Sequence, residues 1–376
     1  MYYSIPYLVV ILILLVLYLC EKGKLSLCSA SMARKIALFV LFVFIGLRGH
    51  LYSDFINYYP WYRDLPNMFH LREAFDLDRR FEPGFVVYSS IIKTLMPNYF
   101  GWVAINTLID LLVFRFIFKK YCDSEILPFI FFIVFNGLII EFNLYRNVKA
   151  LDLFLLSIPF LQQKKILSYV LLNVLGCTFH MSSILYIPLY FILNKRMTKG
   201  VAWGGIVIAN LIFWSGTHIV GSIINSLSIV QAVSILDAVE GYVEDGEMYK
   251  FSIGYFERTF AVVLFTLLYD KLENKHKGNA IIYNCFWFYY IAFLVFYEVP
   301  VFVQRIPMLF MFGYWILYSN VLNISFRWRP IVVIVVSFLI VAKIMMSNSQ
   351  IDAKYQNILT GIDSYEQRVA EVEPIL

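Results

Sequence analysis

An all-α, polytopic bundle of transmembrane helices is the architecture that this sequence predicts, on three observations. Of 376 residues, 60% are hydrophobic and only 15% are charged, against roughly 25% charged in ordinary soluble domains. Apolar runs recur from one end of the chain to the other. Short basic clusters separate those runs. No soluble fold has enough interior to hide so much apolar surface, whereas a helix pairs its own backbone groups inside lipid. The runs do not alternate polar with apolar in ten-residue stretches, which argues against a membrane β-barrel.

The elements follow in order. Apolar segments lie near 5–20, 33–47, 83–96, 99–118, 126–141, 149–162, 166–178, 181–194, 200–222, 256–270, 279–298, 303–320 and 329–346, some 12–13 in all. Several fall short of the roughly 20 residues of an ideal span, so tilted, broken or re-entrant helices are expected. The first run lacks a basic leader and a small-residue cleavage site, and reads as a retained helix. Residues 1–346 read as one integral membrane domain. Residues 347–376 read as a polar tail, a solvated helix with no assigned chemistry. Segments 48–82 and 223–255 are long and polar enough to hold structure outside the lipid.

Basic clusters orient the bundle, because loops rich in Lys and Arg stay inside. Lys119/Lys120, Lys164/Lys165, Lys195/Arg196/Lys199, Lys271/Lys275/Lys277 and Arg327/Arg329 fall on alternate loops. The loops around Arg146, His180, 223–255 and 299–305 are then outside, as is 48–82. This parity closes only if one segment of 83–118 fails to cross. The short segment 83–96, bounded by Pro83 and Pro97, is the one expected to be re-entrant. The net charge of +5 sits in loops and does not imply nucleic-acid binding. The five cysteines show no CxxC pattern, so neither a disulfide framework nor a metal site is expected.

Charges at membrane depth are costly, which makes each a functional candidate. The stretch FIGLRGHLYSDFINYYPWYRDLP at 44–66 carries Arg48 and Asp54 among Tyr52, Tyr58, Tyr59, Trp61 and Tyr62. Asp54 and Tyr58 are four apart and share a face if a helix starts there. The rings suit either an interfacial belt or a carbohydrate-binding surface. In EFNLYRNVKALDLFLL, Lys149 and Asp152 are spaced to pair within the bundle, leaving Arg146 to face an anion. Arginine presents a planar fork of donors suited to phosphate. His180 lies at a turn, with either a packing or a functional role. Arg258, Gln304 and Arg305 open helices from the same outer side. Asp110 and Arg115 read as a structural ion pair. Several cations and a histidine on one face, with one carboxylate, favour an anionic substrate with a lipid tail, and such a site can stabilise a phosphate leaving group.

The order of these motifs resembles that of the EpsG/Wzy-type family of bacterial polysaccharide polymerases. LRGHLYSDFINYY matches its early Arg and its Gly-small-Asp-aromatic segment at Arg48, Asp54, Asn57 and Tyr58, with Tyr52 in place of the usual Gly. Glu82-Pro83-Gly84-Phe85 matches an E-x-G-F start, Arg146 a helix-opening Arg, and FHMSSILYIPL the Phe-His-small-small pattern at His180. SIGYFER and QRIPMLF complete the series. Asn147 and Lys149 depart from the usual Gln and apolar residue.

The resemblance implies polymerisation of undecaprenyl-pyrophosphate-linked oligosaccharide repeat units into O-antigen, capsule or exopolysaccharide. The expected location is the outer face of the bacterial cytoplasmic membrane. No metal, cofactor or nucleotide sugar is implied, and the partners are the lipid bilayer and the pathway's flippase and chain-length regulator. Asp54, His180, Arg146 and Arg305 are the expected catalytic residues; Arg48, Tyr58, Lys149, Arg258 and Gln304 are expected to bind substrate. A flippase of the same lipid-linked units, an O-antigen ligase and a membrane O-acyltransferase are the rival readings. The absence of an internal repeat weakens the flippase.

Overall fold

Helix boundaries in the computed structural model, which describes residues 2–216, 252–297 and 307–375, follow local chemistry. The Ile5–Glu21 helix opens with a proline in its first turn, where the missing N–H costs nothing. The Ser29 side chain accepts from Met32 N and caps the Ala30–Leu41 helix. Asn98 does the same for the Tyr99–Tyr121 helix, whose last turn carries Lys119 and Lys120 against the negative end of the helix dipole. No strand is present among the described residues, and the architecture is all-helical as the sequence predicts.

Expected segment 126–141 is two helices, Leu127–Val134 and Gly137–Asn143. Asn136 between them takes φ 54°, a left-handed conformation that ends the first helix. A Cβ on Gly137 would lie 2.3 Å from the Phe132 ring, so only glycine lets the chain turn there. Expected segment 83–96 is the Pro83–Leu95 helix. Its 13 residues rise about 20 Å, short of the roughly 30 Å hydrocarbon core.

Tyr99–Tyr121 and Arg329–Ser347 are long and apolar enough to cross a membrane, by length and composition. Shorter apolar helices accompany them, among them Ile166–Cys177, Lys199–Ser215 and Asn279–Val295. Only 17% of the apolar window of Arg329–Ser347 is buried in protein, with Ile331, Ile334 and Phe338 exposed. A continuous apolar face of that kind calls for lipid. The five cysteines are free.

The chain forms two compact units. The first comprises Met1–Tyr190 and Tyr318–Leu376; the second is Phe191–Leu317. The tail, expected to be solvated, is instead packed into the first unit. Arg368 is fully buried and donates to the carbonyls of His50 (3.1 Å) and Asp352 (3.2 Å) and to Glu371 (2.5 Å). Tyr365 stacks on Tyr59 at 4.7 Å, and Asn357 bridges to Arg48 through the backbone. Ala353, Asn357, Arg368 and Val372 are among the tail residues buried there, while Ile358, Leu359 and Ile375 stay exposed, so its polar composition hides which few positions pack.

Candidate active site

The first unit gathers most of the expected site residues around the start of the Tyr145–Gln162 helix. Arg146 stands in its first turn. Nη1 donates to Glu82 Oε2 (2.7 Å) and to Arg80 O (3.0 Å), and Nε donates to Tyr58 Oη (3.2 Å). The guanidinium lies over the Phe81 ring at 5.0 Å. Arg146 is therefore not left free, as its sequence position suggests; Glu82 holds it. The pair stays accessible, with side chains 25% and 15% exposed.

Glu82 reaches a second element as well. Its Oε1 accepts from Met181 N (3.3 Å), which ties Arg146 to the short 3-10 turn Met181–Leu185. His180 caps that turn, with Nδ1 accepting from Ser182 N (3.2 Å) and facing Ser182 Oγ (2.7 Å) and Asn147 Nδ2 (3.4 Å). A backbone N–H can only donate, so neutral His180 carries its proton on Nε2. The departure from the family pattern at Asn147 thus supplies a contact to the histidine.

Asp54 and Tyr58 share a face as expected: Tyr58 N donates to Asp54 O (3.0 Å) at the start of the Phe55–Asp64 helix. Burial pushes the Tyr58 phenol up, and the neighbouring Arg146 opposes that shift. The phenol is a neutral hydrogen-bond partner of Arg146 at ordinary pH. Tyr52, Trp61 and Tyr62 are buried, and Tyr58 and Trp61 sit in one aromatic core with Phe85, Trp102 and Tyr145. Tyr58, Trp61 and Tyr62 build the wall beside the arginine, Tyr52 bonds Asn348 of the tail, and these rings are not the exposed surface that their sequence allows. Tyr59 alone of the five is only partly buried among its neighbours in that core.

Two expected substrate ligands lie deeper. Arg48 is 2% exposed and donates to Ile45 O (2.7 Å), Glu141 O (3.2 Å), Thr107 Oγ1 (3.3 Å) and Tyr145 Oη (2.9 Å). Those contacts lock the Phe42–Gly46 π-turn against the Gly137–Asn143 helix. Lys149 is 4% exposed; its Nζ pairs with Asp110 and donates to Asn106 O (3.1 Å). The expected Lys149–Asp152 pairing is not what forms, because the helix turns Lys149 toward Tyr99–Tyr121. Asp110 is thereby unavailable to Arg115, which pairs with Glu125 at 2.9 Å.

Around Lys149 three carboxylates converge. Asp152 and Glu141 are buried beside Asp110, and Asp110 Oδ2, Glu141 Oε2 and both Asp152 oxygens lack a well-formed hydrogen bond. Sequence reading did not single out Glu141. Its signal was present: an acidic residue inside an apolar run, five positions before Arg146. Glu82 stood only as part of a motif match, and its role as the partner of Arg146 required the fold.

Arg258 belongs to the second unit, where its Nε donates to Tyr289 Oη (2.7 Å) and its guanidinium covers the Phe293 ring at 4.1 Å. Gln304, Arg305 and residues 223–251 of the expected outer segment lie outside the described residues. Among the described residues no cluster of three or more His, Cys, Asp or Glu side chains has the arrangement to hold a metal ion.

Two results of comparison bear on this arrangement. A family model described as the EpsG family matches residues 33–359, nearly the whole chain. The chain belongs to the EpsG family. No curated protein and no solved structure matches it. The EpsG family is a Wzy-like family of polysaccharide polymerases, which supports a function in polysaccharide polymerisation and, with the many apolar helices, a multi-pass membrane protein. Membership also implies a lipid-linked saccharide as substrate within a membrane.

Proposed function

We propose that this EpsG-family protein is a membrane glycosyltransferase joining undecaprenyl-pyrophosphate-linked oligosaccharide repeat units at the outer face of the bacterial cytoplasmic membrane. The observation that carries this reading is the accessible Arg146–Glu82 pair, braced by Tyr58 and linked through Met181 to His180. An arginine held at a fixed place by one carboxylate and one phenol is ready to exchange its carboxylate for a pyrophosphate.

In the reaction, the hydroxyl oxygen of the acceptor sugar attacks the anomeric carbon of the donor sugar. The bond from that carbon to pyrophosphate breaks, and its electron pair leaves with the pyrophosphate. The Arg146 guanidinium stabilises the charge that develops there. His180, with its proton on Nε2, is suited to donate a hydrogen bond. The acceptor's proton then falls to Asp54, the carboxylate among the expected catalytic residues. Arg305 and Gln304 are assigned to the pyrophosphate from their sequence motif. Arg258 keeps a substrate-binding role in this proposal. Arg48 and Lys149 act through packing, since both are buried.

Deletion of the gene, followed by a gel of the surface glycan, tests the assignment. Loss of the length ladder, with single repeat units on lipid at the outer face, supports polymerisation. Arg146→Ala and Arg305→Ala should abolish polymer by at least 100-fold, as expected for loss of a charge-stabilising donor, with protein still in the membrane. Wild-type chain length in both variants would sink the proposal. Repeat units trapped on the inner leaflet would identify a flippase instead.

A further inference from the structure

Beside the Arg146–Glu82 pair the first unit carries a groove of about 420 Å³, open to the surroundings and lined almost wholly by apolar atoms. One wall is the stripe Pro83, Val87, Tyr88 and Ile91 of the Pro83–Leu95 helix, at the 3.6-residue spacing of one face. The other wall is Leu175 and Phe179, at and just beyond the end of the Ile166–Cys177 helix. Tyr88 and Thr178 would make the groove polar if their hydroxyls faced it. Instead Tyr88 Oη donates to Asn106 Oδ1 (3.0 Å), and Thr178 Oγ1 donates to Leu175 O (2.7 Å). Each hydroxyl is turned to its own partner, and only apolar surface is left to a ligand.

The polar end of this groove is fixed by backbone contacts. Gly84 N and Phe85 N both donate to Thr178 O, at 2.8 and 3.2 Å, and bind the two walls together. Glu82, the partner of Arg146, immediately precedes Pro83 of the groove wall, so the chain leads directly from the arginine's carboxylate into the groove. Ile91 and Leu175 are 44% and 48% exposed, which leaves the far side open to lipid. An apolar channel with a partly exposed arginine near its head complements an amphiphile with an anionic head and a long hydrocarbon chain.

We infer that this groove seats the phosphate-proximal isoprenoid units of the polyprenyl carrier, with Arg146 on the phosphate. The inference rests on the polymerase reading for the identity of its occupant, and it adds a binding site for the lipid portion of the substrate. The groove holds the chain while Arg146 and Glu82 set the depth of the scissile bond.

The test uses full-length protein in phosphatidylglycerol vesicles. A polyprenyl monophosphate carrying a diazirine on its first isoprene units is the probe. A diazirine-bearing phosphatidylglycerol is the control. Light-driven labelling of Val87, Ile91 or Leu175, competed by unlabelled polyprenyl phosphate and not by added phosphatidylglycerol, is the expected result. Ile91→Trp and Leu175→Trp, which fill the groove, should each lower that labelling at least fivefold. Phe116→Trp, on an exposed apolar position elsewhere in the first unit, should leave it unchanged. Equal labelling by the two probes, or full labelling in both groove variants, overturns the inference. A ladder lost on gene deletion without specific labelling overturns the groove alone. Specific labelling of a protein whose deletion leaves the ladder intact supports the groove and overturns the polymerase reading.

Discussion

Replacing Lys149 by Met separates a structural role from a substrate-binding one. The Lys149 side chain is 5% exposed and that of its partner Asp110 is 1% exposed. Asp152 and Glu141 stand nearby, so the substitution leaves three buried carboxylates with Arg48 as the remaining cation. Breaking a buried pair by removing one partner costs about 3–5 kcal/mol, because the other charge is left desolvated. Loss of the bond to Asn106 O adds about 1 kcal/mol. Lys149→Met should therefore lower stability by about 4–6 kcal/mol. The double variant Lys149→Met/Asp110→Leu removes the pair together and should recover most of that loss, so the two single losses should be strongly non-additive in a double-mutant cycle. Thermal unfolding of detergent-solubilised protein measures both quantities. A Lys149→Met protein with wild-type stability and selectively weakened substrate binding would refute the structural role.

Three further outcomes follow from particular residues. Tyr52 holds φ 57° at the position where the family pattern has Gly, a conformation costing a side-chain-bearing residue about 1–2 kcal/mol. Tyr52→Gly should thus be more stable than Tyr52→Ala by about 1 kcal/mol, the reverse of the usual helix order, and equal or inverted melting temperatures would exclude backbone strain there. Burial, helped by Arg368, holds the His50 imidazole down at about 4, with Nδ1 lacking a hydrogen bond among rings of Phe55, Tyr59 and Tyr99. The unfolded chain takes up this proton near pH 6.5 and the folded protein does not. Its stability contribution is therefore intact above pH 6.5 and falls by about 3 kcal/mol as pH drops toward 4; His50→Phe should flatten that slope, and an unchanged pH profile in the variant would count against it. A Cβ on Gly84 would sit 2.1 Å from Thr178 Oγ1 and 2.8 Å from Thr178 O. Gly84→Ala should cost about 1–3 kcal/mol by pushing the two helices apart, read as a lowered melting temperature.

The sequence by itself determined the all-helical membrane architecture, most helix positions and the family, because each rests on local signals. Apolar runs specify helices in lipid, prolines and capping side chains mark their starts, and the order of short motifs survives without coordinates. Asp54 and Tyr58 at helical spacing, and His180 at a turn, were legible for the same reason. The partnerships were not. Lys149 stands three residues from Asp152, yet pairs with Asp110, 39 positions away, because the rotation of its helix decides which neighbour it meets. Arg146 meets Glu82 across 64 positions, and Arg368 of a polar-looking tail reaches His50 across 318. Spacing along one helix reports which residues share a face. Only tertiary packing decides what that face touches, and a buried charge takes the partner that packing supplies.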